Sequence, residues 1–222
     1  MKICIVVPYF TPYVRGNEYG LSQSLQMLGH EVTVITSRGK APREIKKEHI
    51  SDNIKFNVEY LSTTINFGDN PIVNGMNLKG YDVVLLQEDY PFICHKALKQ
   101  AKKYRIRTIL SSERTYYPQS FKKIILKLLD KTSNKRLREN ADVITTHCSD
   151  AKNFLKNELS VQKDIKVIHV GVNVDLFKPM PTTGKHIQAD KKCINILTVA
   201  RLHKYKGLEY LIKAIGLLKE NS

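Results

Sequence analysis

The chain has 222 residues, 42% hydrophobic and 26% charged. That is enough apolar material for a sizeable core and too much for a chain disordered throughout. Its formal net charge of +15 points to polyanionic partners: nucleic acid, anionic lipid headgroups or a nucleotide diphosphate. No run reaches the roughly 18–20 apolar residues that span a bilayer, and the opening Met1-Lys2-Ile3-Cys4-Ile5-Val6-Val7-Pro8 has no signal-peptide cleavage site.

Residues 2–7 form a strand without polar alternation, as expected where both faces are covered. A loop rich in Pro, Tyr and Gly follows to Gly16. Residues 17–28 place Leu21, Leu25 and Leu28 at helical spacing and close at Gly29. A strand is predicted over 31–36, a basic polar loop over 38–50 and an edge strand over 54–61. Residues 82–87 read as a buried strand, Pro91 opens a helix running to about 104, and 107–111 is a strand again.

Residues 121–138 read as one basic helix with an apolar stripe of Phe121, Ile124, Ile125, Leu128 and Leu129. A strand over 142–146, a helix over 151–159 and a strand over 165–170 complete this unit. The alternation is that of βαβ units and a parallel sheet. From Pro179 a polar stretch reads as a linker, followed by a strand over 194–200, a loop over 201–206 and a helix over 207–219. One strand and one helix cannot bury a core of their own. Cys4, Cys94, Cys148 and Cys193 are scattered singly, which suits reduced core thiols in a cytosolic protein.

Three stretches carry a family resemblance. Arg15-Gly16-Asn17-Glu18 and the run ending Leu28-Gly29-His30-Glu31-Val32 resemble the start of family 4 glycosyltransferases, where two glycines, one residue and a glutamate follow the first strand. Arg15 stands in place of the first glycine. Val167-Ile168-His169-Val170-Gly171-Val172-Asn173-Val174-Asp175-Leu176-Phe177-Lys178-Pro179 is similar to the family's crossing between domains. Val199-Ala200-Arg201-Leu202 with Lys206-Gly207 resembles its F-V-G-R-L and downstream K-G.

The resemblance implies a GT-B enzyme: an α/β, Rossmann-like parallel sheet with helices on both faces, then an incomplete second Rossmann-like domain. Residues 1–178 would be the acceptor-side domain, 179–193 the linker and 194–222 the first strand and helix of the donor-side domain. It further implies a retaining transferase that moves a sugar from a nucleotide sugar to a glycan or lipid-linked acceptor. The nucleotide sugar is a co-substrate, and neither a metal nor another cofactor is implied.

Breaking the sugar–phosphate bond leaves charge on the diphosphate, and cations aimed at it stabilise the transition state. Arg201 offers a planar fork for phosphate oxygens and Lys206 a point charge. Gly207 lets a helix N-terminus approach, and Gly16 allows close backbone approach from the other side. Either pair also reads as ordinary loop chemistry, two solvated cations and a turn glycine. Glu113, where relatives often carry histidine, is the candidate to position or deprotonate an acceptor hydroxyl, or else an ion-pair partner. Arg15, Arg114 and His147 are candidate acceptor contacts, and loops near 62–78 and 114–120 would set acceptor choice.

The 121–138 helix suits either docking on an anionic membrane surface or packing on the sheet. The expected location is cytoplasmic, peripheral on the inner face of a membrane. With the donor-side domain barely begun, little activity is expected of residues 1–222 alone, the remainder coming from the same chain or a partner. A non-catalytic acceptor-binding module is the alternative. No G-x-G-x-x-G, P-loop, helix-turn-helix, RNP or zinc pattern supports an oxidoreductase or nucleic-acid binding.

Overall fold

The computed structural model describes residues 1–12, 16–38, 54–67, 70–118, 122–175, 177–179, 196–200, 202 and 204–220. The chain divides into two compact units, Met1–Phe177 and Lys178–Ser222. In the first, strands β1 (Lys2–Val6), β2 (Glu31–Ser37), β3 (Asn57–Leu61), β6 (Val83–Gln87), β7 (Arg107–Ser112), β8 (Val143–Thr146) and β9 (Ile165–Val167) form one sheet in the order β3-β2-β1-β6-β7-β8-β9. Every pairing in it is parallel. The α/β, Rossmann-like reading therefore holds, and 54–61 falls on an edge as expected.

The two faces of the sheet follow from period-two alternation. In β1, Ile3 and Ile5 point into one apolar cluster with Val32, Val34 and Phe56, against which Tyr19, Leu21 and Leu25 of α1 (Asn17–Met27) pack. Cys4 and Val6 point into the other, with Val84, Leu86 and Leu110. There Ile93, Cys94, Ala97, Leu98 and Ala101 of α2 (Phe92–Tyr104) supply the helical side. Helices thus cover both faces, which is why the strands carry apolar residues on each. Gly29 ends α1 with φ +83, a conformation a side chain would strain.

Four expectations are corrected. Residues 121–138 are not one helix: α3 (Lys122–Lys131) and α4 (Ser133–Asn140) meet at Thr132, whose φ and ψ are −122° and −96°. A continuous helix would offer the Asp130 carbonyl to the amide of residue 134, but Nη2 of Arg138 donates to it at 2.7 Å. The 62–78 segment contains a hairpin, β4 (Thr63–Phe67) with β5 (Asn70–Val73), tied back when the Phe92 amide donates to Asn70 Oδ1 at 2.6 Å. The helix placed at 151–159 begins earlier, as α5 (Ser149–Asn153), and widens into a π-helical turn, Phe154–Glu158. Residues 196–200, expected as strand, have no regular structure and are exposed. A strand is stable only against partners that complete its hydrogen bonds, and the described residues of this unit supply none. Its helix, α6, spans Leu208–Glu220.

Candidate functional site

In a parallel sheet all strand C-termini open on one edge, and ligands collect there beside the strands where the order reverses. Here β1 lies between β2 on one side and β6 on the other, and the chain crosses over β1 between β3 and β6. The loop after β1, with Gly16, and the ends of β6, β7 and β8 therefore share that edge. Gly16 is the N-cap of α1, in extended backbone and exposed. A Cβ there would lie 3.0 Å from Oε2 of Glu18, so a side chain would displace that carboxylate.

His147 follows β8 and forms the hub. Its Nδ1 lies 3.1 Å from the Ile168 carbonyl, and its Nε2 lies 3.0 Å from Glu113 Oε1. Asn17 Nδ2 and Ser111 Oγ approach the same Nε2 at 3.3 and 3.4 Å. Gln87 Nε2 donates to Glu113 Oε1 at 3.0 Å from the end of β6. Three strands and the first turn of α1 thus converge on one carboxylate–imidazole pair. Glu18 faces the pair: burial raises its pKa, with the Glu113 charge adding to the rise, while its own backbone hydrogen bond and His147 oppose it.

Beneath the pair lies Glu88, in left-handed backbone with φ 74°. The residue is partly exposed, but its carboxyl end is enclosed: Ser112 Oγ donates to Oε2 at 3.0 Å and the Glu113 amide to Oε1 at 2.8 Å. Burial, reinforced by Asp89, pushes its pKa up to about 8, so it is largely protonated at neutral pH. With the proton bound it still accepts from the Glu113 amide, which fixes that backbone without adding a charge beside the pair.

Arg114 turns away from that edge. Its Nη1 donates to Asp89 Oδ1 at 3.1 Å, and Nη1 and Nη2 donate to the two oxygens of Asp130, each at 2.8 Å. Arg138 donates to the same two carboxylates and Asn134 to Asp130. Two arginines and two aspartates therefore neutralise one another in the interior. Burial opposes the charged forms of Arg114 and Asp130, yet the Asp130 hydrogen bond and the Asp89 charge raise the Arg114 pKa, and Arg114 and Asn134 hold Asp130 low. The planar fork packs on the rings of Tyr117 and Phe154, 5.5 and 5.4 Å from their centroids. Arg114 thus anchors the segment after Glu113.

In the second unit Lys206 ends a 3-10 turn, Lys204–Lys206, and Gly207 follows with φ +68, directly before α6. The expected order of cation, permissive glycine and helix N-terminus is present locally. Arg15 and Arg201 lie outside the described residues. So does Cys193, while Cys4 and Cys94 are free and buried. Among the described residues no three His, Cys, Asp or Glu side chains gather as a metal site, and no helix is long and apolar enough to cross a membrane.

Asn17, Gln87, Glu88 and Ser111 were not singled out from the sequence. Their only signal is position: each stands at the end of a strand or the start of a helix on the open edge.

Residues 19–176 match the profile of glycosyltransferase family 4. An uncharacterised glycosyltransferase of Methanocaldococcus jannaschii is 24% identical, over 96% of this chain and 59% of its own length. The GPI3 subunit of phosphatidylinositol N-acetylglucosaminyltransferase from Saccharomyces cerevisiae is 26% identical, over 96% of this chain and 49% of its own. The chain thus spans between about half and three-fifths of these relatives. Among solved structures, Acinetobacter baumannii MurG aligns at TM-score 0.41 and 10% identity, covering 76% of this chain and 44% of that one. An alpha-glucosyltransferase in complex with UDP aligns at 0.40 and 15%, covering 78% and 45%.

Proposed function

The chain belongs to glycosyltransferase family 4, and from that premise we propose that the whole protein transfers a sugar, with retention, from a nucleotide sugar to a glycan or lipid-linked acceptor. The observation that carries this reading is the Glu113–His147 pair, 3.0 Å apart on the open edge of the parallel sheet. A carboxylate held by an imidazole and a side-chain amide is suited to receive a hydroxyl and take its proton as the hydroxyl oxygen bonds to the anomeric carbon. The bond from that carbon to the diphosphate breaks at the same stage, its electron pair leaving on the phosphate oxygen. Arg201, Lys206 and the N-terminus of α6 then stabilise the departing diphosphate. Gly16 lets backbone and the α1 N-terminus approach the donor from the acceptor side.

A lipid-linked acceptor is favoured by the GPI3 relative, whose name specifies a phosphatidylinositol acceptor. The test is transfer by the whole protein across a panel of sugar nucleotides and lipid-linked sugars, with the anomeric configuration of the product read by NMR. Transfer with retention, lost in Glu113→Gln, is the expected result. Acceptor binding without turnover, unchanged by Arg201→Ala or Lys206→Ala, would instead identify an acceptor-binding module.

A further inference from the structure

Three residues of the apolar stripe on α3 face outward. Ile124, Ile125 and Leu128 are 74%, 54% and 64% exposed, whereas Leu126 and Leu129 are half-buried and Asp130 is locked into the charge network beneath. The helix is therefore fixed to the domain by one side and offers the other to its surroundings. Lys123, Lys127 and Lys131 run along it at four-residue spacing, all exposed. Beside it opens a cavity of about 420 Å³ lined by Lys127 and Lys131, by Lys135 paired with Glu139 at 3.7 Å, by Lys163, whose ammonium donates to the Ala141 carbonyl, and by Glu158. The Lys127 ammonium stands 5.3 Å from the centroid of Tyr117, which also lines the cavity.

Apolar residues in a row, bordered by lysines and opening on a basic cavity, match the layering of a lipid surface. Acyl chains lie deepest, and anionic phosphates lie level with the ammonium groups. A second copy of the chain is a poor occupant, because an isologous contact would set these lysines against their own images. We propose that α3 docks the protein on an anionic bilayer. Ile124, Ile125 and Leu128 enter the headgroup–acyl boundary, and Lys127, Lys131 and Lys135 meet lipid phosphates. This inference does not depend on the transfer chemistry proposed above, and its test needs no turnover.

Residues 1–222 contain no tryptophan, so Leu128→Trp installs a single reporter within them, on the exposed side of α3. The intact protein is titrated with vesicles of phosphatidylcholine alone or with about a third phosphatidylglycerol. Binding to the anionic vesicles, a blue shift of the reporter and loss at high salt are expected. Each lysine neutralised among Lys127, Lys131 and Lys135 should weaken partition about fivefold, and Lys99→Gln with Lys103→Gln on α2 should change it less than twofold. Ile124→Gln with Leu128→Gln should abolish binding while the circular dichroism stays unchanged. Three results would overturn the proposal: equal partition to neutral and anionic vesicles, no response to these variants, or a reporter shift that tracks protein dimerisation measured by light scattering without lipid.

Discussion

The Glu113 carboxylate lies 3.0 Å from Nε2 of His147, each standing just past the end of its own strand in the adjacent pair β7 and β8. Neither residue is held by its loop alone. Gln87 fixes the carboxylate, and the Ile168 carbonyl fixes the far side of the ring. Replacing Glu113 by Gln keeps the shape and removes the base, so transfer by the whole protein should fall about 10²–10⁴-fold. His147→Ala should fall within the same range, because the carboxylate loses its orienting partner. Both are read as kcat and KM for sugar transfer, with thermal melting to show that the fold is kept. Unchanged kcat in both variants would remove the pair from the mechanism.

Lys206 is expected to act on the donor only. Lys206→Ala should lower kcat/KM for the nucleotide sugar by about tenfold or more, the share of one charge-assisted phosphate contact. Acceptor binding, measured by calorimetry, should not change. Equal losses for donor and acceptor would point to a structural role.

The buried network makes a sharp stability prediction. Asp89→Ala removes one anion between two arginines and leaves an uncompensated positive charge in the interior. Losing one partner of such a set costs about 3–5 kcal/mol, visible as a lower urea midpoint at unchanged slope. A cost under about 1 kcal/mol would mean that water already reaches Arg114 and Arg138. Asp130 adds a pH signature. Its pKa is held below the unfolded value, so its contribution is present above pH 4 and is lost as pH falls through the folded value.

Glu88 has the opposite sign. Its folded pKa of about 8 lies above the unfolded value near 4.5. Between these values the unfolded chain has released a proton that the folded one keeps, so stability falls as pH rises through that window and levels off above it. Glu88→Gln copies the protonated form, with the amide donating to Ser112 and its oxygen accepting from the Glu113 amide. The variant should melt higher than the parent at pH 8, match it near pH 4.5 and lack the decline between. Parallel pH profiles for the two proteins would show that Glu88 is ionised in the fold.

Arg105 ends α2 in left-handed backbone, φ 55° and ψ 38°. Arg105→Gly relieves that strain, and the gain should reach roughly 0.5–1 kcal/mol after the added flexibility of the unfolded chain is deducted. Differential melting measures it. A fall in stability would show that the arginine side chain contributes more than its backbone costs.

The sheet was largely legible in the sequence, because strands buried on both faces read as short apolar runs and their helices end at residues such as Gly29. The break at Thr132 was not, because its cause is a hydrogen bond from Arg138 to the Asp130 carbonyl and no local propensity announces it. The hairpin of β4 and β5 was missed because Asn66, Asn70 and Asn74 dilute its alternation. At the site, Glu113 and His147 could be picked out one at a time as residues past strand ends. That they touch depends on β7 and β8 being neighbours, which is a property of strand order. Arg114 looked available for a ligand because its two partners are distant in sequence, and a planar cation carries no sign of where it will be buried.

The place of β1 in the sheet has a consequence for synthesis. One side of β1 can pair with β2 as soon as that strand leaves the ribosome, but its other side waits for Val83–Leu86. Until then Ile3–Val6 presents an unpaired apolar edge, the kind of surface on which nascent chains associate. Weakening β6 should therefore appear first as insoluble product during expression, before any lowered melting point in the protein that does fold, and a translational pause ahead of β6 should have the same effect.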